Sequence, residues 1–298
     1  MEVYGLTDAF SQAATVCALG LFDGVHLGHR ALLELTVYTA KERGLTPAVL
    51  TFSDGDFKGG DKLTTQAVRL ALFEELGIER VYLMDFASVR ELSPDEFVEK
   101  VLVEICGARV AVCGFNYHYG AKAVGNIDTL AHSMRRLGGE VFVLPATTTE
   151  DGEVISSTRI RHAIEDGEMA LVSEMLGRPY RLVATVVRGQ GLGHTLGLPT
   201  INQRFGEGAT IPARGVYATR CFVDGVGYAA ITNIGTRPTV GGTELLAESH
   251  LIDFVGDLYG KEVACDFLAK IREERTFDSL EALVAQIKQD IDCIREDR

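Results

Sequence analysis

With 298 residues, 46% of them hydrophobic, the chain is long enough for two domains with cores of their own and too apolar to stay disordered. Its 29 basic residues against 42 acidic ones leave a net charge of −13, which argues against a nucleic-acid partner, since such partners normally require a basic face. No apolar stretch approaches the length that spans a membrane, so no membrane partner is expected, and oligomeric state is not legible at this stage.

The N-terminal Met1-Glu-Val-Tyr-Gly-Leu-Thr-Asp8 has no basic region and no long apolar run, so no signal peptide is expected and a cytoplasmic location is the default. Six cysteines, at 17, 106, 113, 221, 265 and 293, include no Cys-x2-Cys pair. They read as reduced, buried thiols, with no metal site of Cys or His type.

From residue 15 the pattern alternates. Residues 15–22 read as a buried strand, followed by the tight turn Asp23-Gly24-Val25 and a helix that runs from His26-Leu-Gly-His29 to about Arg43. Further strands are predicted at 47–52, 80–84, 109–113 and 140–144. Helices are predicted at 66–76, from the capping box Ser93-Pro-Asp-Glu96 to about Ile105, and up to about Leu137. Strands alternating with helices imply a parallel sheet covered on both faces. Two short helices, about 158–166 and 168–176, follow. From about Arg181 the pattern changes to β-branched strands at 181–188, 215–223, 228–234, 245–254 and 262–271, the mark of an antiparallel barrel or sandwich. An amphipathic helix at 279–295 is expected to dock on it. The expected fold is thus a Rossmann-like α/β domain, residues 1–180, then an antiparallel β-barrel domain with a C-terminal helix, residues 181–298.

Chemistry collects in a few motifs. His26-Leu27-Gly28-His29 lies where a βα turn opens a helix, the place at which open sheets bind phosphate. Two imidazoles around a glycine suit a reaction in which charge grows on an α-phosphate and on leaving pyrophosphate, as in nucleotidyl transfer. Ser156-Ser157-Thr158-x-x-Arg161 supplies hydroxyls, a helix start and a cation for phosphate; alone it would read as an N-cap with a solvated arginine. Gly114-Phe-Asn-Tyr-His-Tyr-Gly120 is an aromatic loop on which a ring could stack, or a loop packed by its own aromatics, with His118 structural.

In the second half, Gly191-Leu-Gly-His-Thr-Leu-Gly-Leu-Pro-Thr-Ile-Asn202 is glycine-rich, with glycines at 189, 191, 193 and 197. It lacks the Gly-Lys-Ser/Thr of a Walker loop. Thr200 and Asn202 carry oxygens that suit a hard cation and phosphate, although a glycine-rich hairpin reads the same way in isolation. Glu248, in the alternating strand Ala247-Glu-Ser-His-Leu-Ile-Asp-Phe254, offers a base for a substrate hydroxyl; an unassisted strand glutamate usually just faces solvent. Arg272, in Lys270-Ile-Arg-Glu-Glu-Arg-Thr-Phe277, reads as a solvated arginine or as part of a flap.

Taken together, GLFDGVHLGHRALL, GFNYHYG, ISSTRIR, LGRPY, GLGHTLGLPTIN, RGVY, NIGTRPT, ESHLIDF, DLYG and IREERTFDSLEAL resemble the prokaryotic bifunctional riboflavin kinase/FMN adenylyltransferase family, from about residue 15 to the C-terminus. The resemblance implies phosphorylation of riboflavin to FMN in the second domain and adenylylation of FMN to FAD, with release of pyrophosphate, in the first. Riboflavin, FMN, FAD and ATP are the implied partners, and Mg²⁺ accompanies ATP. By similarity, His26 and His29 stabilise phosphates, and Phe22, Asp23, Gly24, Gly28, Asn116, Ser156, Ser157, Thr158 and Arg161 form the rest of the adenylyltransferase site. Gly191, Gly193, Gly197, Thr200 and Asn202 hold ATP and Mg²⁺ in the kinase, Glu248 is its base, and Arg272 lies in a flap near the flavin. The family usually has Phe-x-Pro-His-Pro where this chain has Phe52-Ser-Asp-Gly-Asp56. A riboflavin kinase with a weak adenylylating domain is therefore the alternative, and a non-catalytic flavin-binding regulator a third reading. Ile201 replaces the usual alanine of the kinase motif and keeps both oxygen-bearing residues.

Overall fold

The computed structural model describes residues 1–6, 13–54, 61–189, 197–239 and 242–296. By packing they fall into two compact units, Met1–Ser157 and Thr158–Arg298.

In the first unit six parallel strands form one sheet in the order β1-β4-β3-β2-β5-β6. They are β1 Glu2–Gly5, β2 Thr15–Leu19, β3 Thr46–Phe52, β4 Arg80–Met84, β5 Ala108–Gly114 and β6 Glu140–Leu144. β2 is buried along its whole length, as a central parallel strand must be. Its side chains alternate between two cores, Cys17 and Leu19 on one face, Val16 and Ala18 on the other. The second of these faces is covered by α1, Leu27–Arg43, and α2, Gln66–Glu75. α3, Phe86–Val89, and α4, Pro94–Glu96, precede a π-helical stretch Phe97–Ile105, which with α5, Ile127–Arg136, covers the first face.

The capping box at Ser93 forms as the sequence predicts: the Glu96 N–H donates to Ser93 Oγ, and Glu96 Oε2 accepts from the Ser93 N–H. The following segment departs from a plain α-helix, since the Cys106 N–H reaches back to the Val101 carbonyl. β1 was not expected. Its four residues are half exposed at the sheet edge and too few to carry a pattern.

The chain runs from β2 through β3 to β4 on one side and returns to β5 and β6 on the other. The carboxyl ends of β2 and β5 therefore flank a topological switch point, where such sheets bind ligands.

The second unit holds α6, Ser157–Asp166 (its first residue assigned to the other unit), α7, Met169–Leu176, and a closed antiparallel barrel ordered β10-β11-β8-β7-β12-β9. Its strands are β7 Tyr180–Val187, β8 Ile201–Arg204, β9 Gly215–Val223, β10 Val226–Thr239, β11 Gly242–Leu251 and β12 Glu262–Arg272. The structure thus decides between barrel and sandwich. The barrel starts at Tyr180, where the pattern change placed the domain boundary, but α7 packs on β7 and β12, so this compact unit begins earlier. β8 is short and was hidden inside the glycine-rich motif. α8, Leu280–Glu296, closes the chain against β10.

Thr219, Thr232 and Ser249 form a buried hydroxyl ladder across β9, β10 and β11, with oxygens 2.7 Å apart at each step. The expectation of reduced thiols is corrected at one pair. Cys221 and Cys265 face each other in the β9–β12 register and form a disulfide, a pairing that only the register brings about. Cys17, Cys106 and Cys113 are free and buried.

One buried cation ties the first sheet together at its carboxyl edge. Arg69 on α2 is 1% exposed and donates to the carbonyls of Leu21 (3.1 Å) and Phe52 (3.0 Å), just beyond β2 and at the end of β3, and to Asp54 (3.2 Å). Replacing it removes three charge-assisted hydrogen bonds, although Leu21 keeps the Thr51 hydroxyl and Asp54 keeps the Gln66 N–H. Arg69→Met is expected to destabilise the first unit by about 2–4 kcal/mol in denaturant unfolding, and wild-type stability would contradict the role given to it.

Candidate active sites

A cavity of about 670 Å³ opens at the carboxyl ends of the first sheet. Its walls come from Leu19–Leu21 after β2, from Phe115–Tyr119 after β5, from Pro145–Thr147 after β6 and from His26, Gly28 and His29 at the start of α1. One part is polar and made by the histidines, Asn116, Thr147, Ser156 and Ser157. The other is apolar and aromatic, with Phe52, Met84, Phe86, Val89 and Phe97. Such a cavity fits a planar ring joined to phosphates.

The histidine turn is built by close approach. His26 is the N-cap of α1, and its Nδ1 accepts the His29 N–H at 3.3 Å. A neutral His26 ring therefore carries its proton on Nε2, where it can donate to an anion. The two rings stack with centroids 3.7 Å apart. A Cβ on Gly28 would stand 3.2 Å from the His26 ring, so a side chain there would crowd it. Burial pushes the His26 pKa down to about 4. Burial also holds His29 well below the ordinary value, helped by His26 and Arg69 nearby. The His29 Nδ1 is sealed from solvent and has no hydrogen-bond partner among the described residues. Both rings are thus neutral at pH 7.

Phe22, Asp23 and Gly24 support this turn and do not line the cavity. Asp23 is 1% exposed and accepts the N–H groups of Leu63 (3.0 Å) and Thr64 (3.3 Å), while its own carbonyl accepts Ser157 Oγ–H at 3.0 Å. The first and second predicted motifs therefore meet through Asp23. Phe22 and Val25 take left-handed backbone angles, φ 54° and 41°, unusual for such side chains. Thr158 and Arg161 lie on α6, in the second unit.

The aromatic loop combines both readings. Tyr117 and Tyr119 stack on each other and anchor it in the core, while Phe115, Asn116 and His118 are exposed and line the cavity. His118 Nδ1 bonds the Asn116 carbonyl at 2.9 Å.

Where the family has Pro-His-Pro, Asp54 has a network of its own. It accepts the Gln66 N–H at 2.8 Å as well as Arg69, and Lys62 Nζ donates to its carbonyl at 2.9 Å. The departure is thus built into the local structure; Asp56 lies outside the described residues. Sequence reasoning missed Arg69 and the aromatic wall, whose only signal was aromatic residues at and just after strand ends.

In the barrel, Glu248 on β11 lies between Asn202 on β8 and Asn233 on β10 in the strand register. Thr200 Oγ1 donates to Glu248 Oε1 at 2.6 Å. Asn202 is 7% exposed and packs against the backbone at Gly189, where a Cβ would fall on its amide nitrogen. His250 bonds the Pro199 carbonyl at 2.8 Å and so fixes the approach to Thr200. Gly197, at φ 71°, turns the chain into this segment; Gly191 and Gly193 lie outside the described residues. Arg272 ends β12, and its guanidinium is committed to Asp290 on α8. Thr200, Asn202 and Glu248 thus come together as a hydroxyl, an amide and a carboxylate, with Arg272 held by the C-terminal helix.

Comparison with known proteins matches two family models in sequence order. Residues 9–159 match the family model for FAD synthetase and residues 176–297 that for riboflavin kinase. The bifunctional riboflavin kinase/FMN adenylyltransferase of Pseudomonas fluorescens is 37% identical over 289 residues, covering 94% of this chain and 92% of that protein. Its Escherichia coli K12 counterpart is 34% identical over 306 residues, covering 99% and 96%. A crystal structure of a macrolide-efflux protein from Streptococcus pneumoniae matches with TM-score 0.88 at 30% identity, over 99% of both chains. Among the described residues of the present chain, no helix is long and apolar enough to cross a membrane. With both family models matched in order and relatives aligned over nearly its whole length, the chain belongs to the bifunctional riboflavin kinase/FMN adenylyltransferase family.

Proposed function

We propose that the second unit phosphorylates riboflavin at the constellation of Thr200, Asn202 and Glu248, and that the first adenylylates FMN in the cavity beside His26 and His29, the catalytic division falling near Tyr180. The observation that carries this reading is the 2.6 Å hydrogen bond joining Thr200 to Glu248, residues 48 positions apart. It sets a phosphate-binding hydroxyl beside a base on a rigid strand.

In the kinase, Glu248 takes the proton of the ribityl 5′-hydroxyl as that oxygen bonds to the γ-phosphorus of ATP. The bond to the β–γ bridging oxygen breaks, leaving FMN and ADP. The oxygens of Thr200 and Asn202, with ATP phosphates, would hold Mg²⁺, a hard ion that this donor set suits. When bound, the ion neutralises phosphate charge. Among the described residues no cluster of three or more His, Cys, Asp or Glu side chains could hold a metal, so the ion is expected to arrive with ATP.

In the adenylyltransferase, an oxygen of the FMN phosphate bonds to the α-phosphorus of ATP, and the bond to the α–β bridging oxygen breaks, releasing pyrophosphate. His26 donates through Nε2 to developing charge, and His29, Ser156 and Ser157 complete the phosphate site within this unit. Asn116 and the aromatic wall hold a ring. Both half-chains matching their own family models favours two activities over the kinase-only alternative.

Glu248→Ala is expected to cut FMN formation at least about a hundredfold and to leave conversion of FMN to FAD unchanged. His29→Ala is expected to do the reverse. Chromatography of products from riboflavin and from FMN measures both, and loss of both activities in either folded variant would contradict two separate sites.

The depressed His26 pKa has a pH signature. Its contribution to stability is complete above the unfolded value of 6.5 and is lost as pH falls from there towards about 4, on the order of 3 kcal/mol in all. In a histidine NMR titration of the ligand-free protein, this ring is expected to protonate near pH 4, and ATP is expected to raise the midpoint. A midpoint near 6.5 without ATP would contradict the buried, neutral state.

A further inference from the structure

The C-terminal helix has entered so far only as the holder of Arg272, and it holds it through a buried carboxylate. Asp290 on α8 is 2% exposed. It accepts from Arg272 through Nη2 at 2.8 Å and Nε at 3.1 Å, and from Gln286 Nε2 at 2.7 Å. Arg272 Nη1 also donates to the Glu273 carbonyl at 3.2 Å, so the guanidinium is fixed in one plane. Arg275 in turn bonds Gln286, and both Arg272 and Arg275 lie over the Phe277 ring. Residues 272–277 are thereby latched to one face of the helix.

The other side of this segment reaches the reaction centre. Glu274 Oε1 accepts from Asn233 Nδ2 at 3.0 Å, and Asn233 is the register partner of Glu248. A Cβ on Gly235 would collide with the Glu274 carboxylate, so the strand is left bare where the segment lies down. One continuous set of contacts therefore runs from Asp290 through Arg272 and Glu274 to Asn233, beside the base.

We propose that Asp290 is a positioning residue for the riboflavin kinase reaction, setting Arg272 and the 272–277 flap at the height the flavin requires. Asp290 touches no reacting atom. It acts by holding the Arg272 plane and, through the chain that follows, the Glu274–Asn233 contact. A carboxylate on the last helix of the chain thus decides how riboflavin is received at the far end of β12. The proposal rests on the reading that Arg272 meets the flavin.

The test is steady-state kinetics of the full chain with riboflavin and ATP varied separately, with FMN-to-FAD conversion in the same preparation as an internal control. Asp290→Asn keeps the shape and removes the charge. It is expected to raise KM for riboflavin about tenfold or more while KM for ATP and the FAD-forming rate stay unchanged. Arg272→Ala is expected to do the same, and the double variant to be no worse than the poorer single one. Gln286→Ala, which removes one hydrogen bond to Asp290 and the contact to Arg275 while leaving the Asp290–Arg272 pair in place, gives the same shift at smaller size and serves if Asp290→Asn fails to fold. Wild-type KM for riboflavin in Asp290→Asn, additive effects in the double variant, or an equal change in both KM values would overturn the proposal. Wild-type KM in Arg272→Ala would instead remove the reading on which it rests.

Discussion

Polyphosphate has to be held by a protein carrying thirteen excess negative charges, and that constraint shapes both sites. The first unit has a cavity at the carboxyl ends of a parallel sheet, lined by the start of a helix and by two imidazoles that burial keeps neutral. The second offers oxygens on strands, suited to phosphate accompanied by a cation. Local groups of this kind can receive phosphate without a global basic field, so the charge of the whole chain is free to stay acidic.

The cost of this arrangement is buried polarity, and the chain meets it with dedicated partners. Arg69 satisfies the carbonyls just past β2 and at the end of β3, and Asp23 gathers backbone N–H groups from a segment forty residues away. The left-handed backbone at Phe22 and Val25 lies among these contacts, which are made by the adjoining Leu21 and Asp23. In the barrel, Gln203 beside Asn202 donates to the carbonyls of Ala184 and Val263, and the hydroxyl ladder of Thr219, Thr232 and Ser249 pins the strands on which Asn233 and Glu248 sit. Rigid strands then hold the reacting groups with little freedom to lose when substrate arrives.

What could be read in advance follows the range of each interaction. The placement of His26 and His29 was legible because it depends on a local frame, a strand, a turn and a helix start within fifteen residues. Thr200, Asn202 and Glu248 were legible as residue types, but only the structure shows Thr200 bonded to Glu248 and Asn202 opposite it in the β8–β11 register. Arg69 was not legible, because within an amphipathic helix it looks like any solvated arginine. The same holds for Asp290, and for Cys221 and Cys265, whose meeting depends on a register between strands 44 residues apart. The departure at 53–56 looked like a loss. The structure shows Asp54 engaged with Gln66 and Arg69, contacts that the family pattern gave no reason to expect.

The central claim is that one chain runs two reactions in series, the product of the barrel serving as substrate of the sheet. Its most direct test is a time course of the purified protein with riboflavin, ATP and Mg²⁺, with riboflavin, FMN and FAD separated by chromatography and a parallel reaction started from FMN. The account predicts FMN that rises first and FAD that follows, with FAD forming at once from added FMN. FMN that accumulates with no FAD from either start, or no product at all from folded protein, would contradict it.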